Sequence, residues 1–174
     1  MPLIRIDTCE LTYPWFWLPG HLPHFVDGSV PGGVPVRLEP GEYTFQQSRQ
    51  HPCDVHFRVT PAGEVDFDAD QDAVLRGRGT HTLRVVGVPV LLRPTGRPVP
   101  LLPMWGGCHE PIDTGARTVR MPPGPAYEIR LLGARRTVVE FSVGRDGVVD
   151  YPEHHEGALS GRGTGTLTVD VGAA

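Results

Sequence analysis

Lysine and asparagine are absent from this sequence, and all 16 of its cations are arginine. Against 20 Asp and Glu they leave a formal charge of −4, and no basic run exceeds Arg135-Arg136. A chain without a basic field lacks the electrostatic footprint that holds a phosphate backbone, so no nucleic-acid partner is expected. A GC-rich coding sequence is the preferred reading of the bias toward arginine, ahead of any functional one.

Cysteine is scarce too. Cys9, Cys53 and Cys108 form an odd set without paired spacing, which argues against a disulfide framework. Free thiols and a reducing, cytoplasmic setting are expected. No stretch approaches the ~20 apolar residues of a membrane span, so no membrane partner is expected. Residues 1–20 carry Arg5, Asp7 and Glu10, and so do not read as a secretion signal. Serine occurs four times and never in a Gly-x-Ser-x-Gly context. No window holds apolar residues at i, i+3, i+4 and i+7, so helix is expected to be close to absent.

What is present is punctuation and alternation. The 22 glycines and 19 prolines are spread between short apolar runs, the pattern of many short strands. Val55, Phe57 and Val59 alternate with His56 and Arg58; Gly63 turns the chain, and Val65 and Phe67 continue. This predicts a β-hairpin with one apolar face. Val139 to Val143, a turn at 144–147, and Val149 to Tyr151 predict a second. Further strands are predicted at Leu3 to Ile6, Val88 to Leu92, Thr80 to Val85 and Thr164 to Val169. Val34 to Leu38 and Tyr43 to Phe45 read as a hairpin closed by Pro40-Gly41.

The strongest signal is a repeat. At an offset of 84, residues 57–85 and 141–169 are identical at 13 of 29 positions, including Gly77-Arg-Gly-Thr80 and Gly161-Arg-Gly-Thr164. The opening of each copy aligns at an offset of 88, placing Leu3, Arg5, Trp17, His21 and Pro23 on Leu91, Arg93, Trp105, His109 and Pro111. The expected organisation is therefore two β repeats, 1–87 and 88–174, each of five or six strands. They would be sandwich or barrel-like, related by a pseudo-two-fold and closely packed because no linker separates them. Copy one carries a longer loop near residues 28–33.

Each recurring motif has a structural and a chemical reading. A Gly-flanked arginine could grip an anion, or it could pair within its own copy. The second reading is preferred and predicts ion pairs Asp66–Arg78 and Asp150–Arg162. Trp-x-x-x-His-x-Pro, at 17–23 and 105–111, marks Trp17, His21, Trp105 and His109 as candidate ligand contacts, and the patch Trp15-Phe16-Trp17 adds Trp15, since exposed aromatic rings stack on flat ligands; burial of the patch at one end of the barrel is the preferred reading. His21, His24, Cys108 and His109 have the side chains of a metal site, although their spacing fits no standard finger. The alternating Asp66, Asp68, Asp70 and Asp72 read as a solvated face, not a calcium loop. Cys53 and His56 lack the accompaniments of a nucleophile pair.

The expected function is a non-enzymatic binding or assembly module, without a cofactor, for a small molecule, glycan or protein. The alternative is a small cofactor-independent cyclase or isomerase using His21, His109, Glu110 and Asp113 for acid–base chemistry. A metal-binding protein is the third reading.

Overall fold

The computed structural model describes residues 1–20, 26–46, 52–96, 101–104, 115–132 and 136–170. These residues are all-β. Two single 3-10 turns, Ala69–Gln71 and Glu153–His155, interrupt the strands, and no α-helix occurs among the described residues.

Four strands of the first half form one sheet: β1 (Leu3–Asp7), β4 (Val34–Arg37), β8 (Leu75–Arg76) and β9 (Thr82–Val85), in the order β4-β1-β9-β8. A sheet of the same pattern is made in the second half by β10 (Val88–Thr95), β12 (Arg117–Met121), β16 (Leu159–Ser160) and β17 (Thr166–Asp170), in the order β12-β10-β17-β16. A three-stranded sheet joins β5 (Gly41–Gln46), β6 (Pro52–Val59) and β7 (Val65–Asp66). Its counterpart joins β11 (Leu101–Met104), β13 (Gly124–Leu132), β14 (Arg136–Val143) and β15 (Val149–Asp150). The short pair β2 (Trp15–Phe16) and β3 (Val26–Asp27) completes the set.

Alternation dictates which side chains face inward. Val55, Phe57, Val59, Val65 and Phe67 are all buried, as are Val139, Phe141, Val143, Val149 and Tyr151. Each such phenylalanine or valine removed from water contributes roughly 1.5–3 kcal/mol. Tyr43 stacks on Phe57 at 5.3 Å, and Tyr127 meets Phe141 at 5.6 Å. In both halves the tyrosine also anchors a corner: the Tyr43 hydroxyl donates to the Glu39 carbonyl, and the Tyr127 hydroxyl to the Pro122 carbonyl.

Those corners correct one expectation. Val34 to Leu38 and Tyr43 to Phe45 do not pair as a hairpin. β4 pairs with β1 and β5 with β6, so the chain leaves one sheet and enters another at Leu38–Pro40. Periodicity reports which face a residue presents; it carries no information about which strand lies beside it.

A second correction concerns register. β1 runs parallel to β9 with Arg5 opposite Thr82, and β10 runs parallel to β17 with Leu91 opposite Thr166. Thr82 and Thr166 are 84 residues apart, and the residues facing them, Arg5 and Leu91, are 86 apart, where the sequence alignment of the strands expects 88. Ile4 and Ile6 stand where Val90 and Leu92 stand, all four buried. A slip of two residues preserves the face of every side chain, so the pattern alone does not detect it. Likewise Trp17 bridges Gln46, whereas Leu102 lies opposite Arg130, 84 residues beyond Gln46. The strand position facing Arg130 is held by Leu102, as Trp17 faces Gln46.

The strands are also shorter and more numerous than five or six per copy, because β7, β8, β15 and β16 are two-residue pieces. Gly28 to Gly33 forms the turn from β3 into β4, with the Asp27 carboxylate accepting from the Ser29 N–H.

One hydrophobic core runs through both halves, from Ile4 to Val169. Backbone bonds stitch the seam: the Thr12 N–H donates to the Arg120 carbonyl (2.9 Å), and the Asp54 N–H to the Pro123 carbonyl (2.7 Å). Among the described residues no helix is long and apolar enough to cross a membrane.

Candidate functional site at the seam

The Gly-Arg-Gly-Thr segments are built alike. Gly77 and Gly161 have φ of 101° and 102°, and a Cβ there would fall about 2 Å from the carbonyl oxygens of Thr82 and Thr166. Only glycine fits. The Thr80 hydroxyl donates to the Gly77 carbonyl and accepts from the Thr82 N–H; Thr164 does the same with Gly161 and Thr166.

The loop carries its arginine over an aromatic ring: Arg78 lies 4.7 Å from the Phe67 centroid and Arg162 4.9 Å from that of Tyr151. Arg162 Nε approaches Asp150 Oδ1 at 3.4 Å, and Arg78 Nε approaches Asp66 Oδ1 at 3.7 Å, longer than a hydrogen bond. The shorter contacts go elsewhere: Arg78 to Asp72 (2.7 Å) and Arg162 to Glu156 (3.2 Å). Asp66 is claimed more tightly by Arg58, at 2.6 Å, which holds its carboxyl below the usual range. Each arginine is therefore sandwiched by one ring and two carboxylates of its own half, a composite the sequence reading resolved only in part.

The alternating aspartates are occupied in the same way. Asp66 and Asp68 bind Arg58, Asp72 binds Arg78, and Asp70 binds Arg145. No cluster able to hold a metal ion occurs among the described residues.

Arg145 is the residue that sequence reasoning missed. It sits in the turn between β14 and β15, yet donates to Asp54 (3.0 Å) and Asp70 of the first half. At the sequence offset of 84 it aligns with Pro61. A charge at an unmatched position inside a matched hairpin was the available signal. The Asp54 it grips also lies 3.2 Å from His56 Nε2, and His56 Nδ1 lies 3.2 Å from the Thr44 hydroxyl. Thr44, His56, Asp54, Arg145 and Asp70 thus form a continuous polar chain across the seam.

Beside it opens a groove of about 410 Å³. β6 supplies Cys53, Asp54 and His56 to one wall; Gly124, Pro125, Ser142, Val143 and Gly144 supply the other. The volume is that of a small-ligand site. Strand alternation sends His56 and Asp54 outward while Cys53 is buried, its sulfur 3.9 Å from the Tyr127 hydroxyl. Burial pushes the Tyr127 phenol far above its ordinary pKa. Cysteine and histidine therefore face apart, as a nucleophile pair could not. The His56–Asp54 pair can accept or deliver a proton and hydrogen-bond a ligand.

Of the sequence candidates, Trp15 and Trp17 are half-buried. Trp15 stacks on Tyr13 at 6.2 Å, and Phe16 between them is fully buried against Phe45. His21, His24, Trp105, Cys108, His109, Glu110 and Asp113 lie outside the described residues. Comparison with known proteins finds no similarity to this chain, whether to a family model, a curated protein or a solved structure.

Proposed function

We propose that this chain is a binding module built on a duplicated β scaffold, with the seam groove as its ligand site. The carrying observation is a division of labour. Polar groups that recur at the offset of 84 are spent inside their own half, as the Arg78 and Arg162 sandwiches illustrate. The polar side chains of the groove, Asp54, His56 and Ser142, do not recur: Val138, Glu140 and Arg58 stand at the matching positions. A scaffold copied once and then specialised at its junction produces that distribution.

The matched strand orders and ladder registers support the reading of two related sandwich or barrel-like halves about a pseudo-two-fold. The free thiol of Cys9 supports a reducing, cytoplasmic setting. The ligand class that suits the groove is a small molecule or a single glycan unit, placed against Pro125 and Val143 and hydrogen-bonded by His56.

A second reading rests on the His56–Asp54 contact: a cofactor-independent enzyme with His56 as acid–base group. Amide and imidazole NMR titration of the full chain with a panel of small metabolites and monosaccharides separates the two. Binding requires saturable shifts at Gly124, Val143, Gly144 and His56, with the ligand recovered unchanged. Conversion of the ligand would move the assignment to the enzyme reading, and shifts confined elsewhere would remove the groove from either.

A further inference from the structure

A second groove lies at the junction where the chain passes from one half to the other. Its volume is about 570 Å³, and Val86 to Pro89 line it. Four of the 16 arginines meet there: Arg76 from β8, Arg84 from β9, Arg120 from β12 and Arg145. The acids lining it are Glu10 and Asp146.

These charges are not equivalent. Arg84 is held by Asp7 (3.5 Å) and Glu10 (3.3 Å), and Arg145 by Asp54 and Asp70. The Asp146 carboxylate accepts from the Val148 N–H at 3.0 Å. Arg76 and Arg120 differ: among the described residues no carboxylate reaches either. Arg76 Nη1 donates to the carbonyls of Asp72 and Leu75, and Arg120 Nη1 to that of Val86 at 3.4 Å. Carbonyls tether these side chains without neutralising them. A guanidinium has five N–H donors in a planar fork, so both keep donors for a ligand in the shared groove.

We propose that this groove is an anion site for a small phosphate monoester. Two guanidiniums without a carboxylate partner match a doubly charged tetrahedral oxyanion, which accepts paired N–H donors from each. The cavity exceeds what bare phosphate fills, leaving room for an attached organic group over Val86 and Pro89. The site is separate from the His56 groove, so it stands or falls independently of the ligand proposed there.

The test is a titration of the full chain, observed at the arginine Nε–H signals and by calorimetry, with inorganic phosphate, phenyl phosphate and, as an ionic-strength control, sodium chloride. Saturable shifts of Arg76 and Arg120 are expected with both phosphates, tighter for phenyl phosphate and weakened by added salt. Arg76→Gln and Arg120→Gln should each weaken binding about tenfold, the size of one lost charge-assisted hydrogen bond. Arg37→Gln, outside the groove, should leave binding unchanged, and circular dichroism would confirm that all three variants are folded. Shifts reproduced by chloride, no saturation, or undiminished binding by both folded groove variants would overturn the proposal.

Discussion

Arg145 Nη2 lies 3.0 Å from Asp54 Oδ1, a contact between residues 91 apart that joins the two halves. With the Asp70 contact it makes one cation serve two carboxylates. Arg145→Met keeps the aliphatic stem and removes the charge. The carboxylates are about half exposed, which caps the loss; a destabilisation of about 1 kcal/mol is expected by urea unfolding. The difference between variant and wild type should shrink in high salt.

The glycine pairs offer a contrast within one loop. Gly77 and Gly79 both have positive φ, at 101° and 72°, but a Cβ on Gly77 strikes the Thr82 carbonyl while one on Gly79 meets open space. Gly79→Ala should cost about 1 kcal/mol, the backbone penalty alone. Gly77→Ala must also displace a strand carbonyl and should cost several times as much. The order should repeat for Gly163→Ala and Gly161→Ala, read as thermal midpoints.

His155 is expected to give the fold an acid sensitivity. Burial, and then the adjacent His154 ring at 4.0 Å, lower its pKa below the ordinary 6.5, while Glu140 acts in the opposite sense. The unfolded chain therefore binds the proton first. The stabilising contribution is complete above pH 6.5 and is lost as pH falls from there through the folded-state value. His155→Gln should flatten the stability–pH curve in that window and leave it unchanged near pH 8.

The inward faces were legible in the sequence because strand alternation has a period of two and the repeat fixed its phase twice. Val55, Phe57 and Val59, with Val139, Phe141 and Val143, are buried as the pattern required. Strand partners were not legible: the parallel pairing of β1 with β9 joins residues 77 apart, and nothing local encodes it. The same limit hid the seam. His56 and Asp54 could be placed on one face, but the second wall, Gly124, Pro125 and Ser142 to Gly144, comes from the other half of the chain. Arg78 could be assigned an acidic partner, yet its shortest contact, Asp72, caps the C-terminal end of a 3-10 turn that no periodicity announces.

Native-state hydrogen exchange tests most directly whether the two halves are matched and held by one core. The Val65 and Val149 amides donate to the Thr80 and Thr164 carbonyls at 2.6 and 2.8 Å, and the Val86 and Asp170 amides to Val74 and Ala158 at 2.9 and 2.8 Å. With a shared core, all four should open only in global unfolding and report one free energy, agreeing within about 1 kcal/mol. If the amides of one half exchange at a free energy several kcal/mol below those of the other, the halves unfold separately and the account is contradicted.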